Sequence, residues 1–428
     1  MYQIEYSPNL KGEVLISWSK NAALPIVAAN YILDNKVKLL NKPEISDIKN
    51  LEKLAEIALS KKENYLDLTD ELSKKFRSSI MLIPFWLLKY GEVKFGSVGG
   101  CNIGKRSLDT FDDALTKAGI EIKFNTKGEK IYKVIKNPKK HIMLQEFSVT
   151  TIEAIITYLA FAQNYDYEIT IYQVATEPHV KNLIAFLNNA WANITMEIDH
   201  TILIKPCKKI KIKKPEFEII GDYITAGTYF AIGACCDNSE ITIKNINVDD
   251  LSAMYNIAEK IGINFKILDK HTLLVNSFNK ANYKATKLQT MIFPWFPTDL
   301  QSAFGTIFTQ CTGISKIQET LFEGRFSYLS ELENFGAKIE ILNPHEAIII
   351  GKTKLKGCYA TSRDLRGWAA MVIAWLMAKG TTYVTNEALI ERGYDHIIQK
   401  LTKLWANINL VEDQISINSI CFRDYHEI

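Results

Sequence analysis

Two hydrophobic periods follow each other in a fixed order along the chain. Runs rich in small side chains, with apolar residues at helical spacing, come first: AALPIVAANYIL, TIEAIITYLAFAQ, TAGTYFAIGACC, LQSAFGTIFTQ and AAMVIAWLMAKG. Each leads into a run that alternates, such as KVKLL, YEITIY, SEITIK, ISKIQ and TTYV. The first period predicts a helix with a buried face and the second a half-buried strand. A further helix then ends in the phrase L-x-x-x-G-x-x-I before the next strand. It reads LTKAGIEIKF (115–124), FLNNAWANITMEI (186–198), IAEKIGINFKIL (257–268), LENFGAKIEIL (332–342) and LTKLWANINLV (401–411). Aligned on Gly or Trp, the phrase falls at 119, 191, 262, 336 and 405, a spacing of 69 to 74 residues. A weaker copy, LEKLAEIAL (51–59), precedes them. Six units of about 71 residues fill the chain of 428.

Each unit predicts helix, strand, helix, strand, strand. Units of this size are too large for a thin solenoid. They predict an α/β protein whose repeats group three and three into two pseudo-symmetric domains. No Pro-, Ser- or Gly-rich linker separates the halves, so the hinge must be short. Two facing domains leave a cleft between them, a common place for a ligand.

Composition narrows the function. With 51 basic and 48 acidic residues the net charge is +3, too balanced to make nucleic acid the main partner. The densest basic run, KKIKIKK (208–214), reads as a solvated strand face. The N-terminus carries no charged-then-apolar leader, and no uncharged apolar run approaches the ~18 residues of a membrane span. A soluble, cytoplasmic protein is expected. Seven cysteines without a C-x-x-C pair, and seven dispersed histidines, argue against a disulfide framework and a metal site. No metal and no cofactor are expected.

The small-residue helices share an unusual start. They open at Lys20-Asn21, Arg77-Ser78-Ser79, Ser148 to Thr151, Thr298-Asp299 and Arg363 to Arg366. Asn, Ser, Thr and Asp suit capping, and Thr150 with Glu153 reads as a capping box. Lys20, Arg77, Arg363 and Arg366 do not, because a cation in a first turn opposes the helix dipole. Their recurrence points to a bound polyanion at helix N-termini.

The loop VGGCNIGKRSLDTF (98–111) contains G-x-x-x-x-G-K, but Arg106 stands where a triphosphate loop needs Ser or Thr for Mg²⁺. Instead, Cys101 sits in a Gly-rich loop within five residues of Lys105 and Arg106, surroundings that make a thiol reactive. Cys235 and Cys311 read better as inert buried cysteines.

In order along the whole chain, SKNAALPI (19–26), FRSSI (76–80), GGCNIGKR (99–106), SVTTIE (148–153), FPTDLQ (296–301), ETLFEGRF (319–326), RDLR (363–366) and ERGY (391–394) resemble the motifs of the enolpyruvyl transferases. Cys101 favours the branch whose acceptor is a UDP-sugar over the branch that uses shikimate 3-phosphate, which lacks the G-G-C loop. The resemblance implies an inside-out α/β barrel of six βαβαββ-type units, with residues 19–215 forming one domain and 1–18 plus 216–428 the other. It implies an active site in the interdomain cleft. It also implies transfer of the enolpyruvyl group of phosphoenolpyruvate to the 3′-hydroxyl of UDP-N-acetylglucosamine, with release of phosphate, by addition and elimination in peptidoglycan synthesis. Cys101 would be the acid and Asp299 the base. Lys20, Arg106, Arg325, Arg366 and Arg392 would hold phosphoenolpyruvate. Asn21, Arg77, Ser148, Val149, Leu321 and Phe322, with Asp299, would line the UDP-sugar site. The chain departs from the family pattern at Glu146, Thr150 and Tyr223. Those departures keep open a transferase with another acceptor, or a silent UDP-sugar-binding relative.

One anomaly is internal to the repeats. Trp191 and Trp405 occupy the position that is Gly119, Gly262 and Gly336 elsewhere, a helix end that commonly needs φ > 0. By resemblance Trp18, Trp86, Trp295, Trp368 and Trp375 also stand at Gly or small-residue positions, which accounts for all seven Trp. We expect these positions to be glycine in the native protein, from UGA codons that its genetic code reads as Gly.

Overall fold

The computed structural model describes residues 2–60, 66–68, 72–73, 76–96, 107–360, 365–384 and 394–411. Six central helices carry the repeats. They are α1 (Lys20–Ile32), α2 (Ile83–Tyr90, entered through a 3₁₀ turn over Arg77–Leu82), α3 (Val149–Phe161), α4 (Tyr223–Cys235), α5 (Thr298–Phe308) and α6 (Leu365–Met377). Every residue of α4 is buried, as a helix apolar on all sides must be. Small residues let these helices approach closely: a Cβ on Gly227 of α4 would lie 2.5 Å from the side chain of Leu300 on α5.

The sheets lie outside the central helices. Among the described residues there are five four-stranded sheets and one two-stranded sheet. Each four-stranded sheet repeats one plan. In one, Lys287–Gln289 runs parallel to Gly313–Gln318, which pairs antiparallel with Glu346–Gly351, and that strand pairs antiparallel with Lys338–Asn343. One face packs inward, so burial alternates along strands such as Glu240–Lys244.

Two strands come from far along the chain. Tyr2–Glu5 pairs antiparallel with both Thr381–Val384 and Ile408–Leu410, completing the sheet of the last repeat. Lys11–Leu15 runs parallel to Glu240–Lys244, leading the fourth repeat. The first repeat takes its leading strand, Glu216–Glu218, from just before α4. The described apolar residues form two cores, one over residues 22–219 and one from 4–16 with 223–406.

The chain passes between the cores twice, and the two crossings lie side by side. Ser19 N–H donates to Ile220 O (2.7 Å) and Asp222 N–H to Ser17 O (2.9 Å), around a bridge between Trp18 and Gly221. Gly221 admits no side chain, because a Cβ there would fall 1.9 Å from the carbonyl oxygen of Asn245.

The five helix ends aligned in sequence share one backbone state. Gly119, Gly262 and Gly336 have φ of 93°, 89° and 89°, and Trp191 and Trp405 have 67° and 76°. Trp86, Trp368 and Trp375 are fully buried, and their indole N–H groups have no hydrogen-bond partner among the described residues. The Thr150–Glu153 capping box does not form. Ser148 is the N-cap of α3 and accepts from Thr151 N–H, which puts Thr150 within the first turn and frees Glu153 to sink into the protein.

Candidate active site

A cleft of about 670 Å³ is lined by residues of both cores. The N-termini of α1, α3 and α5 open onto it through Lys20, Val149 and Thr298. Lys20, Asn21, Arg77, Ser148, Val149, Asp299, Leu321, Phe322, Arg325 and Arg366 all line this one space. Cys101, Arg106, Arg363 and Arg392 lie outside the described residues. The residue after Arg106, Ser107, lines the cleft, and its carbonyl accepts from Arg77 Nη2 at 3.4 Å.

The first-turn cations are answered by carboxylates, at least in part. Lys20 Nζ lies 2.7 Å from Asp47 Oδ2, with both side chains largely buried. Asp299 is clamped between two guanidinium groups: Arg325 Nη2 reaches Oδ1 at 2.5 Å and Arg366 Nη2 reaches Oδ2 at 3.0 Å. Burial alone would raise the Asp299 carboxyl, but Arg366 and then Arg325 outweigh it and hold it well below the usual carboxylate range.

A buried carboxylate aligns this clamp with the adjoining loop. Glu319 Oε1 accepts from the backbone N–H of Leu321 (2.9 Å) and Phe322 (3.2 Å). Its Oε2 accepts from Thr298 Oγ1 at 2.8 Å, and that hydroxyl accepts from Arg325 Nε at 3.1 Å. On the other side Arg366 Nη1 donates to the Tyr394 hydroxyl at 3.4 Å. Glu319 was not among the expected site residues; the E-T-L-F run shows a motif but not that its carboxylate is fully buried.

The cleft floor holds three further groups that sequence reasoning did not assign to the site: Glu153, Glu177 and His179. Burial pushes the Glu153 carboxyl well above its ordinary range, and neighbouring Glu177 adds to that. Burial also raises Glu177 to about 7, its own backbone N–H and Lys181 opposing, and lowers His179 to about 4. Beside them the departure residue Tyr223 is buried edge-on to Phe293.

These shifts set opposite pH dependences. Folded Glu177 keeps its proton to about pH 7, while an ordinary Glu carboxyl loses it near 4.5. Its contribution to stability is full below 4.5 and is lost as pH rises through 7. His179 protonates near 4 when folded against 6.5 ordinarily, so its contribution is full above 6.5 and is lost as pH falls toward 4. Glu177→Gln should therefore weaken the decline in thermal stability as pH rises from 4.5 to about 7, by up to ~1.4 kcal/mol per pH unit inside that window. His179→Gln should weaken the acid decline instead. Melting curves across pH check both; an unchanged profile in Glu177→Gln would mean that folding does not raise the Glu177 carboxyl.

Among the described residues no three His, Cys, Asp or Glu side chains gather as a metal site, and no helix is long and apolar enough to cross a membrane.

Residues 4–401 match the family model described as EPSP synthase (3-phosphoshikimate 1-carboxyvinyltransferase). The chain is 34% identical to the UDP-N-acetylglucosamine 1-carboxyvinyltransferase of Helicobacter hepaticus over 422 residues, covering 95% of this chain and 98% of that one. It is also 34% identical to UDP-N-acetylglucosamine 1-carboxyvinyltransferase 1 of Clostridium acetobutylicum, covering 96% and 99%. Among solved structures, the enolpyruvyl transferase NikO from Streptomyces tendae superposes with a TM-score of 0.81 at 17% identity, covering 95% and 98%. An EPSP synthase from Acinetobacter baumannii gives 0.68 at 12% identity, covering 96% and 99%. At such identities these two structures establish a shared fold.

Proposed function

The chain belongs to the EPSP synthase family of enolpyruvyl transferases, and from that premise we propose that it transfers the enolpyruvyl group of phosphoenolpyruvate to UDP-N-acetylglucosamine, releasing phosphate. The acceptor follows the names of its relatives at 34% identity over nearly the whole chain. The observation that carries the reading is the convergence of ten expected site residues, from segments 20–21 to 366, on one cleft.

The chemistry divides among these groups. Phosphoenolpyruvate brings a phosphate and a carboxylate, and Lys20, Arg325 and Arg366, with Arg106 and Arg392, supply charged donors for both. Cys101 gives a proton to C3 as the acceptor oxygen adds to C2. Asp299 takes the proton of the attacking hydroxyl. Elimination then returns the C3 proton and expels phosphate, whose developing charge the cations stabilise. The arginine clamp bears on the timing. Asp299 paired to two guanidinium groups is a weak base. An oxyanion on Arg325 and Arg366 competes for the same N–H groups and raises the basicity of Asp299. The donor thus arms the base. Asn21, Arg77, Ser148, Val149, Leu321 and Phe322 would border the UDP-sugar. We place the reaction in peptidoglycan synthesis in the cytoplasm, with these two small molecules as partners and no nucleic acid.

A phosphate-release assay with both substrates tests this reading. Wild-type protein should release phosphate only when both are present. Cys101→Ala should slow release by about 10²–10⁴-fold, the scale of a lost general acid. Release that survives the substitution removes the acid role from Cys101. UDP-sugar binding without any release by wild-type protein would favour a silent binding protein.

A further inference from the structure

The cleft has two chemically different surfaces. One is cationic, built by Lys20, Arg77, Arg325 and Arg366. The other, on the floor, is built by Glu153, Glu177 and His179. Glu153 and His179 are each only 4% exposed. Glu153 Oε1, Glu177 Oε2 and His179 Nδ1 are buried with no hydrogen-bond partner among the described residues. Polar atoms buried this way cost about 1–3 kcal/mol each unless something meets them. Three of them bordering one cleft mark a surface shaped for a ligand.

Their chemistry says which part of a ligand. Burial favours the neutral form of both carboxyl groups and of the imidazole. Carboxyl groups here would repel a phosphate if ionised, so the floor does not suit the anionic ends of either substrate. Neutral acid and imidazole groups both donate and accept, which suits a hydroxyl or amide. The floor also lies within electrostatic reach of the reacting centre: Asp299 bears on both Glu177 and His179, and Arg366 on His179.

We infer that Glu153, Glu177 and His179 form a neutral hydrogen-bonding subsite that holds an uncharged polar group on the acceptor's sugar ring and so turns the attacking hydroxyl toward Asp299. The inference rests on the transferase reading above. The sugar enters the floor, the anionic groups stay on the cationic surface, and the three residues position the acceptor rather than exchange protons with it.

Steady-state kinetics and calorimetric titration with UDP-N-acetylglucosamine test the subsite. Glu153→Leu and His179→Leu should each raise the acceptor KM and Kd by about tenfold or more, the scale of one lost buried hydrogen bond. The KM for phosphoenolpyruvate should stay within about twofold of wild type, since other residues hold that substrate. Glu153→Gln keeps a donor and an acceptor and should regain most of the acceptor affinity. Melting temperatures measured alongside separate folding defects from binding defects. Unchanged acceptor constants in both Leu variants, equal loss in Glu153→Gln and Glu153→Leu, or an equal rise in both KM values would each overturn the subsite while wild-type turnover leaves the transferase reading standing. A wild-type protein that neither binds UDP-N-acetylglucosamine nor releases phosphate overturns the reading itself, and the subsite with it.

Discussion

Asp299→Ala should abolish phosphate release and loosen the fold in the same stroke. The kinetic half follows from the base role proposed for Asp299, whose loss should cost about 10²–10⁴-fold in kcat. The structural half follows from the clamp. Arg325 and Arg366 have side chains only 3% and 6% exposed, and both point their Nη2 atoms at this one carboxylate. Removing one partner of a buried ion pair leaves charge uncompensated, at about 3–5 kcal/mol. Inorganic phosphate should restore part of that stability, because an oxyanion can take the vacated place between the guanidinium groups. Thermal melts with and without phosphate, run beside the release assay, check both halves. A larger phosphate-induced shift in Asp299→Ala than in wild type is the expected signature. Wild-type turnover in the variant would remove the base role, and wild-type stability would show that the arginines do not depend on Asp299.

The second large effect concerns the tryptophans. Trp191 and Trp405 are held at φ of 67° and 76°, a region that costs a non-glycine residue about 1–2 kcal/mol. Trp86, Trp368 and Trp375 each bury an indole N–H without a partner, at a further ~1–3 kcal/mol apiece. The sum is comparable with a whole fold's typical stability of ~5–15 kcal/mol. A protein with Gly at 191 and 405 should therefore melt above the Trp form. The single changes Trp191→Gly and Trp405→Gly should each add about 1 kcal/mol, since these side chains are 46% and 78% exposed and leave little void behind. The three buried positions should be changed together, because Trp368 and Trp375 pack edge to face at 5.2 Å and one deletion would open a cavity beside the other. The intact mass of protein from its natural source decides what the native residues are. A mass that includes seven indole side chains, or UGG codons at these positions, would sink the proposal.

These tryptophans also show what the chain makes legible. Repeats reveal a backbone requirement that a lone residue conceals: glycine at 119, 262 and 336 marks a left-handed helix end, and the same φ recurs at 191 and 405. The anion-ready helix starts at Lys20, Ser148 and Thr298 were equally local signals, and all open onto the cleft. What stayed hidden depends on distant segments meeting. Asp47 reads as an ordinary helix-start acid until it is found against Lys20. Glu153 reads as a capping-box partner until Ser148 takes the cap and leaves Glu153 facing Glu177, at the start of the next helix of the same repeat. The registry of the first fifteen residues was hidden too, because neither of their strands has a local partner.

That last feature bears on how the protein is made. The strand Tyr2–Glu5 leaves the ribosome long before its partners, Thr381–Val384 and Ile408–Leu410. The core over residues 22–219 draws on no described apolar residue beyond Ile220, so it can form while synthesis continues. The other core cannot be finished until almost the whole chain has emerged. Its opening segment must wait unpaired, then close a loop of nearly the full chain length, a slow step by contact order. Birth order and completion order are thus reversed for this strand. A ribosome stalled before residue 381 would hold a finished first core and an unsatisfied edge strand, the form most exposed to pairing with another chain.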